Sequence, residues 1–565
     1  MIGFISFAEF TCYTHILGEN RLMLAASLSM HPVDLTIIVV YLVGIVAIGC
    51  LAGFRQRRTA EGQGYFLAGR TLTWPVIGLA LFSTNISTVH LVSLAQEGYK
   101  NGLAYGNFEW MAAFTLIILA FFFAPFYLRA RVATLPDFLE KRYSRACRDW
   151  LAFLSIISAI VIHIGFSLYA GAVVLRGMFG INIMTSIILV ALLTGLYTII
   201  GGLLAVVLTE SIQTIVLVFG AICVTVIGLY HADGWSGLVS SVEPIKFTIL
   251  RPHGDASGLP WYSVFLGYPV IGIWYWCADQ TIVQRVLGAK DANHARVGPL
   301  FAGFIKILPV FIFVLPGLTC LGLINQGKLP DELTDSADTY AFMISHLLPI
   351  GLKGVVAAAL LAALMSTVSG ALNSIATLFS YDIYKRWRPQ TTDRTLVIVG
   401  RIVTFIAMIA AIVWSPFVSH YESIFQGINA IICYIAPPIT AVFVFGVFWR
   451  RASAKAAFMT LCIGSAAGLV VFLLDWFKDK DWLKQYIEWK VPFMMASFYL
   501  FLLCSATLIV VSLIKPHKHT AESEMLVWNN PGEALRGESW KGIGNYKFLA
   551  ALLFATMVTL YVIFR

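Results

Sequence analysis

A chain of 565 residues with 59% hydrophobic and only 12% charged side chains is not a soluble globular protein, whose charged share is nearer ~25%. Apolar runs of roughly 20 residues recur along its whole length, each able to cross a bilayer, and no hydrophilic stretch reaches the ~100 residues of a separate soluble domain. The formal charge of +9 reads as the excess of Lys and Arg on cytoplasmic loops. A nucleic-acid role would need a basic face outside the membrane, and none is visible. The nine cysteines fall mostly in apolar runs (Cys50, Cys223, Cys320, Cys504) without a CxxC pair, so neither a disulfide framework nor a metal site is inferred. HExxH, GxSxG and Walker A patterns are missing, and nothing sets an oligomeric state.

Residues 1–30 carry a short, interrupted apolar run, which reads as an extension with Met23 or Met30 as alternative starts, or as a targeting segment. A single membrane domain is then expected over 34–564, as an all-α multi-pass protein of about fourteen transmembrane helices. In chain order the spans are predicted at 34–54, 73–97, 102–129, 150–176, 182–200, 204–230, 260–280, 298–324, 340–384, 395–418, 421–447, 456–475, 491–514 and 547–564.

Alternate loops are basic. Arg55, Arg57, Arg58 and Arg70 follow the first span, and Arg129, Arg131, Lys141, Arg142 and Arg145 the third. Later loops on that side carry Arg285, Lys290 and Arg296, then Lys385, Arg386 and Arg388, then Arg450, Arg451 and Lys455. The opposite loops are poorer in Lys and Arg or acidic, as at Asp331, Glu332, Asp335 and Asp338. The positive-inside rule then runs the first helix from outside to inside and, for an even number of spans, leaves both termini outside a cell membrane.

Two spans read as broken. Ser83-Thr84-Asn85-Ile86-Ser87-Thr88 interrupts the second, and Gly267, Pro269 and Gly272 fall within the seventh. They lie five spans apart and cross in opposite directions, as two inverted five-helix repeats (about 73–230 and 260–447) with unwound first helices require. Two ordinary kinked helices are the plainer alternative. An unwound helix frees carbonyl oxygens, and a hard cation wants about five or six oxygens. Ser366 and Thr367 are adjacent hydroxyls on a ninth span built of Ala and Leu. Alone they read as back-bonded or as small packing residues; beside a broken helix they also suit an ion site with Ala363.

Ionisable and amide groups inside apolar spans are expensive unless they face a cavity, a partner or an ion. Asn85, His90, Glu109, Glu210 and Lys306 are placed so. Glu109 and Lys306 could compensate each other and offer hydrogen bonds to a polyhydroxylated solute, whereas a lone Lys306 would snorkel to an interface. Trp274, Tyr275 and Trp276 suit stacking on sugar C–H faces or a membrane interface equally. Asp279 is expected to pair with a loop Arg. His163 reads as a satisfied core histidine. Glu210 reads either as a cation ligand on an exit path or as a helix-end charge in water.

These residues lie in segments that resemble the sodium/solute symporter family, and within it the sodium–glucose cotransporter branch: YFLAGRTLTWPVIGLALFSTNIS (65–87), YGNFEWMAAF (105–114), GGLLAVVLTESIQ (201–213), WYWCADQTIVQRVLGAK (274–290), GVVAAALLAALMSTVSGALNSIATLFSYDIYK (354–385) and YIAPPITAVFVFGVFWRR (434–451). The resemblance runs from about residue 34 to the C-terminus. It implies a leucine-transporter-like core of inverted five-helix repeats and sodium as coupling ion, with no organic cofactor and no enzymatic role. The sodium ligands it implies are Ser83, Ile86, Ala363, Ser366 and Thr367. Where the family couples a second sodium it commonly has Asp at the position of Glu210; the longer Glu keeps the charge and leaves a second sodium site or an exit path as the two readings there. The sugar site it implies comprises Asn85, His90, Glu109, Lys306, Asn429 and Trp276, gated by Tyr275 and Phe108. Asn429 stands where the sugar branch typically has Gln, a side chain longer by roughly one C–C bond, enough to lose a hydrogen bond or admit a water. A hexose such as glucose or galactose is therefore the first expectation for the solute, with inositol or another polyol open. A carboxylate or amino-acid solute, proton coupling through Glu210 or Glu109, a transporter-like sensor and an intramembrane enzyme are the other readings; Glu109 beside Lys306 disfavours an anionic solute.

Overall fold

The computed structural model describes residues 31–57, 62–331, 333, 335–420, 424–477, 491–516, 519–537 and 539–565; the expectations about residues 1–30 lie outside these. Eleven helical runs among the described residues are long and apolar enough to cross a membrane. The longest, Ile183–His231, is two helices joined at Gly202, where φ is 62°. A Cβ there would also meet the Tyr65 carbonyl oxygen at 2.7 Å, so backbone conformation and close approach both require glycine. Thr88–Arg129 is divided by the 3-10 turn Gly102–Gly106. Its first part, Thr88–Asn101, continues Trp74–Asn85 as one interrupted crossing. Trp261–Ile273, the π-helical Trp274–Ala278 and Gln280–Leu287 make another. The described chain thus makes fourteen crossings, the predicted number.

The ninth crossing is the axis of the molecule. Every residue from Val356 to Leu378 is buried, so neighbouring helices surround it. The first crossing, Pro32–Arg57, exposes Val39, Val40, Val43 and Leu51, a face suited to lipid. Small residues bring helix backbones together. A Cβ at Gly98 would lie 2.1 Å from the Val314 carbonyl oxygen, and one at Gly317 would lie 1.9 Å from that of Ala95. The second half of the second crossing, Thr88–Asn101, therefore packs backbone to backbone on the eighth.

The long ninth stretch, predicted at 340–384 with its flanks included, is divided in the structure. Thr339–Leu347 is a separate helix, and Leu352–Leu378 starts after Gly351, at φ 89°. Asp34, from the first crossing, caps this start: its Oδ1 accepts from the Gly351 and Gly354 N–H groups at 2.8 and 2.7 Å. The cap is 317 residues from its helix, beyond any local signal.

The first break falls where predicted. Trp74–Asn85 ends into Ile86 (φ −79°, ψ 106°), and Ser87 (φ −103°, ψ 174°) opens the next helix. The second does not fall at Gly267, Pro269 and Gly272. The helix runs through all three and breaks at Asp279 (φ −87°, ψ 123°). Gly267 and Gly272 serve close packing, because Cβ atoms there would lie 2.3 Å from the Met494 carbonyl oxygen and 2.7 Å from the Tyr268 ring. Hydroxyls of neighbouring helices satisfy carbonyls around Pro269: Thr440 Oγ1 donates to Val270 O at 2.7 Å and Ser497 Oγ to Gly267 O at 3.3 Å.

Candidate functional site

The two breaks frame a cavity of about 720 Å³, mouth included, lined among others by Asn85, Ser87, His90, Phe108, Glu109, Tyr275, Trp276, Thr367 and Asn429. Lys306, expected in the solute site, is buried (1% exposed) behind two of the lining residues and does not itself line the cavity. It donates to Glu109 Oε2 and, at 2.5 Å, to Asn85 Oδ1, and lies 5.6 Å from the Trp276 ring centroid. It is paired and does not snorkel. Asn85 Nδ2 donates to the Tyr275 hydroxyl at 3.1 Å. Lys306, Asn85 and Tyr275 come from the eighth, second and seventh crossings, so this chain of hydrogen bonds ties both breaks together.

His90 caps its own helix. Its Nδ1 accepts from the Ser87 N–H at 3.2 Å, which assigns the proton of the neutral ring to Nε2. That Nε2 faces Glu109 Oε1 at 3.8 Å, leaving a gap into which a hydroxyl could bridge. On another wall, Phe108 meets Phe425 edge-on at 4.9 Å and stacks on Tyr105 at 6.0 Å. Tyr268 OH donates to the Phe108 carbonyl at 3.0 Å. Phe425 and Tyr268 escaped the sequence reading because an aromatic in an apolar span carries no signal of which way it points. Asn429 Nδ2 donates back to Phe425 O at 2.8 Å, four residues earlier on the same helix. Its short side chain is thus partly spent on its own backbone.

Beside the cavity, the first break meets the ninth crossing through oxygen atoms. Ser366 Oγ donates to Ser83 O and Ala363 O, each at 3.0 Å; Thr367 Oγ1 donates to Thr84 O and Ala363 O, each at 3.2 Å. Thr367 therefore reaches Thr84. Ile86 stands at the break, with its N–H bonded to Phe82 O at 2.9 Å. Ser83 Oγ is buried without a hydrogen-bond partner among the described residues. An all-oxygen donor set with an orphaned hydroxyl beside it suits a hard cation. Thr367 belongs to both this cradle and the cavity lining.

Glu210 is 0% exposed, which overturns a helix-end charge in water. Arg285 Nη2 donates to its Oε1 at 2.5 Å and Nε to its Oε2 at 3.3 Å. Thr84 Oγ1 donates to Oε1 at 3.0 Å. Arg285, expected as a loop charge, is instead fully buried. Asp279 pairs not with a loop Arg but with His163, whose Nε2 lies 2.9 Å from Asp279 Oδ2. The reason is the break itself: Asp279 is drawn to the start of Gln280–Leu287, where its Oδ1 accepts the Thr281 N–H at 2.6 Å, and His163 is the polar group opposite. His163 is satisfied, and it also lines the cavity.

A family model described as the sodium:solute symporter family matches residues 65–464. The chain is 34% identical over 485 residues to sodium/glucose cotransporter 4 of Danio rerio, covering 80% of this chain and 73% of the relative. It is 35% identical over 536 residues to a sodium/mannose cotransporter of Bos taurus (88% and 89%), and 33% identical over 483 residues to sodium/myo-inositol cotransporter 2 of Sus scrofa (79% and 71%). Its fold matches that of a Na+-coupled sialic acid symporter solved in a substrate-bound outward-open state, with a TM-score of 0.74 at 21% identity over 87% of this chain and 100% of the other. It also matches the nucleobase-cation-symport-1 family transporter Mhp1, at 0.53 and 15% over 82% and 97%.

Proposed function

Because this chain belongs to the sodium:solute symporter family, we propose that it carries sodium and a small polyhydroxylated solute together across the cell membrane by alternating access, with a hexose such as glucose or galactose as the solute. The observation that carries this reading is the position of Thr367, which donates to Thr84 O in the oxygen cradle and lines the solute cavity. Relatives named for glucose, mannose and myo-inositol support a polyol as the solute class.

Sodium enters the cradle of Ser83, Ile86, Ala363, Ser366 and Thr367. Its charge draws the carbonyls of the broken helix and the ninth crossing together, in place of the hydroxyl-to-carbonyl hydrogen bonds now linking them. That fixes the break from which Asn85 and His90 project. The solute then gives its hydroxyls to Asn85, His90, Glu109, Lys306 and Asn429 and lays a C–H face against Trp276. Phe108, with its aromatic neighbours, forms one gate, and Tyr275, held by Asn85, the other. Because both ligands favour the same arrangement of the break, each tightens the other, and the sodium gradient drives accumulation as one bundle rocks against the rest. Both termini lie outside the cell in this reading.

The test is uptake of labelled glucose, galactose and myo-inositol into proteoliposomes with and without an inward sodium gradient at constant pH. Sodium-dependent accumulation of a hexose is expected. Accumulation of myo-inositol alone would move the solute to a cyclic polyol, and uptake indifferent to sodium would overturn the coupling.

A further inference from the structure

A second cavity lies at the end of the molecule that carries the basic loops. It is open, about 1420 Å³ with its mouth included, and is lined by Arg70, Pro125, Leu128, Arg129, Arg131, Ala289, Lys290, Asp291, Ala292 and Arg296. Five of these side chains are cationic and one is acidic. The acid is engaged: Asp291 Oδ1 caps the following helix by accepting the His294 N–H at 3.0 Å, and its Oδ2 lies 3.8 Å from His294 Nε2.

Loop cations that merely obey the positive-inside bias stand apart in water. These converge, and other means hold three of them in place. Arg70 Nη2 donates to the carbonyls of Arg131 and Val132 at 3.0 and 3.2 Å. The Arg129 guanidinium rests 5.6 Å from the Trp528 ring and that of Arg296 4.4 Å from the Tyr546 ring. Among the described residues, no carboxylate forms an ion pair with any of the five. Arg296 is 5% exposed, and its buried Nε and Nη1 have no hydrogen-bond partner among the described residues. Arg70 and Arg131 also adopt left-handed backbone, at φ 54° and 46°, where a non-glycine residue persists only if its surroundings impose it. Burial, and then the Arg131 charge, lower the pKa of Arg70. The protein therefore concentrates like charge here and leaves donors unsatisfied, which an anion would relieve.

We propose that this cavity binds a phosphoryl group. Guanidinium forks match phosphate oxygens in planar, paired geometry, and lysine adds a point charge. The group reaches the cavity either as the headgroup of an anionic lipid, for which basic pockets between helices at the cytoplasmic surface are suited, or as part of a soluble phosphorylated compound. Its walls come from the segment before the second crossing, the end of the third, and the connection from the seventh to the eighth with the start of the eighth.

The full-length protein, stripped of lipid in detergent, would be titrated by native mass spectrometry with dioctanoyl phosphatidic acid, dioctanoyl phosphatidylcholine and inorganic pyrophosphate. Phosphatidic acid held at least tenfold more tightly than phosphatidylcholine, with pyrophosphate a poor competitor, would identify a lipid site. Pyrophosphate binding as tightly as phosphatidic acid would identify a soluble phosphate ligand. The double variant Arg129→Gln/Lys290→Gln removes two exposed charges and should weaken binding by about 25-fold, about fivefold per charge; Arg451→Gln, an exposed control on the same side, should leave it unchanged. Hydrogen exchange on the wild-type protein keeps the test independent of variant folding: phosphatidic acid or pyrophosphate should protect residues 125–131 and 288–297. Equal binding of all three probes, no effect of the double variant, or no protection of those segments would overturn the site.

Discussion

Arg285 and Glu210, both 0% exposed at their side chains, form an ion pair at 2.5 Å between the sixth and seventh crossings. The ninth crossing makes room for it: a Cβ at Gly370 would lie 2.5 Å from Arg285 Nη2 and 3.1 Å from Glu210 Oε1. Thr84, one residue before Asn85, donates to the same carboxylate. The pair therefore lies between the first break, through Thr84, and the helix that follows the second.

Breaking this pair on one side leaves an uncompensated buried charge, which costs about 3–5 kcal/mol. Arg285→Met is expected to lower thermal stability by that order. The double variant Glu210→Gln/Arg285→Met should recover more than half of the loss, because no charge is left alone. Additive losses in a double-mutant cycle would mean that the two groups are not coupled.

Both Glu210 oxygens already accept hydrogen bonds, from Arg285 and from Thr84. The Arg285 guanidinium already neutralises this carboxylate and would repel a second sodium. Transport is therefore expected to rise with sodium concentration with a Hill coefficient close to one; a coefficient near two would reject this argument and reinstate Glu210 as a cation ligand.

Ser366 Oγ meets Ser83 O and Ala363 O. Ser366→Ala is expected to raise half-saturating sodium about tenfold, the worth of roughly one hydrogen bond of ~1.4 kcal/mol, while saturating sodium restores most uptake. Wild-type sodium dependence in that variant would remove Ser366 from the ligand set.

Lys306 joins Glu109 to Asn85. The paired neutral variant Glu109→Gln/Lys306→Met keeps the cavity free of a lone charge but loses the charged hydrogen bonds, worth ~1.5–3 kcal/mol. Solute affinity should fall by roughly 10- to 100-fold, with sodium-dependent thermal stabilisation retained. Loss of both together would indicate that the pair supports the fold and not the solute.

Asn429 spends its Nδ2 on the Phe425 carbonyl. Asn429→Gln adds one methylene and should carry the amide further into the cavity, lowering the half-saturating hexose concentration by about 2- to 10-fold for one neutral hydrogen bond. An unchanged or raised value, measured beside myo-inositol uptake, would place position 429 outside the hexose contacts.

Several features were legible because they are local. Ser83 to Thr88 announces its break through a polar run inside an apolar span, and Ile86 and Ser87 carry the non-helical backbone there. The second break was read in the wrong place because proline and glycine look alike as breakers and as packing residues. The segment 267–272 is helical and packs against Met494, Thr440 and Ser497 of other helices, which no local signal shows. Asp279 was assigned an arginine partner by the general expectation for a carboxylate near a helix end. The group opposite is His163, 116 residues away.

A membrane protein of about fourteen crossings, with an interrupted second helix and isolated polar groups at membrane depth, is readable from residue order alone. Apolar run length and residue type are properties of a single segment, and hydrocarbon penalises every unsatisfied polar group wherever it sits. Partners were decided only by the tertiary structure. That Lys306 turns inward to Glu109 and Asn85, that Arg285 leaves its loop to hold Glu210, that Thr367 joins the cradle to the cavity, and that five cations share one pocket all depend on which helices lie side by side. Electrostatic and hydrogen-bond energies are fixed by distances of a few ångströms between residues up to hundreds of positions apart, and those distances exist only once the crossings are packed.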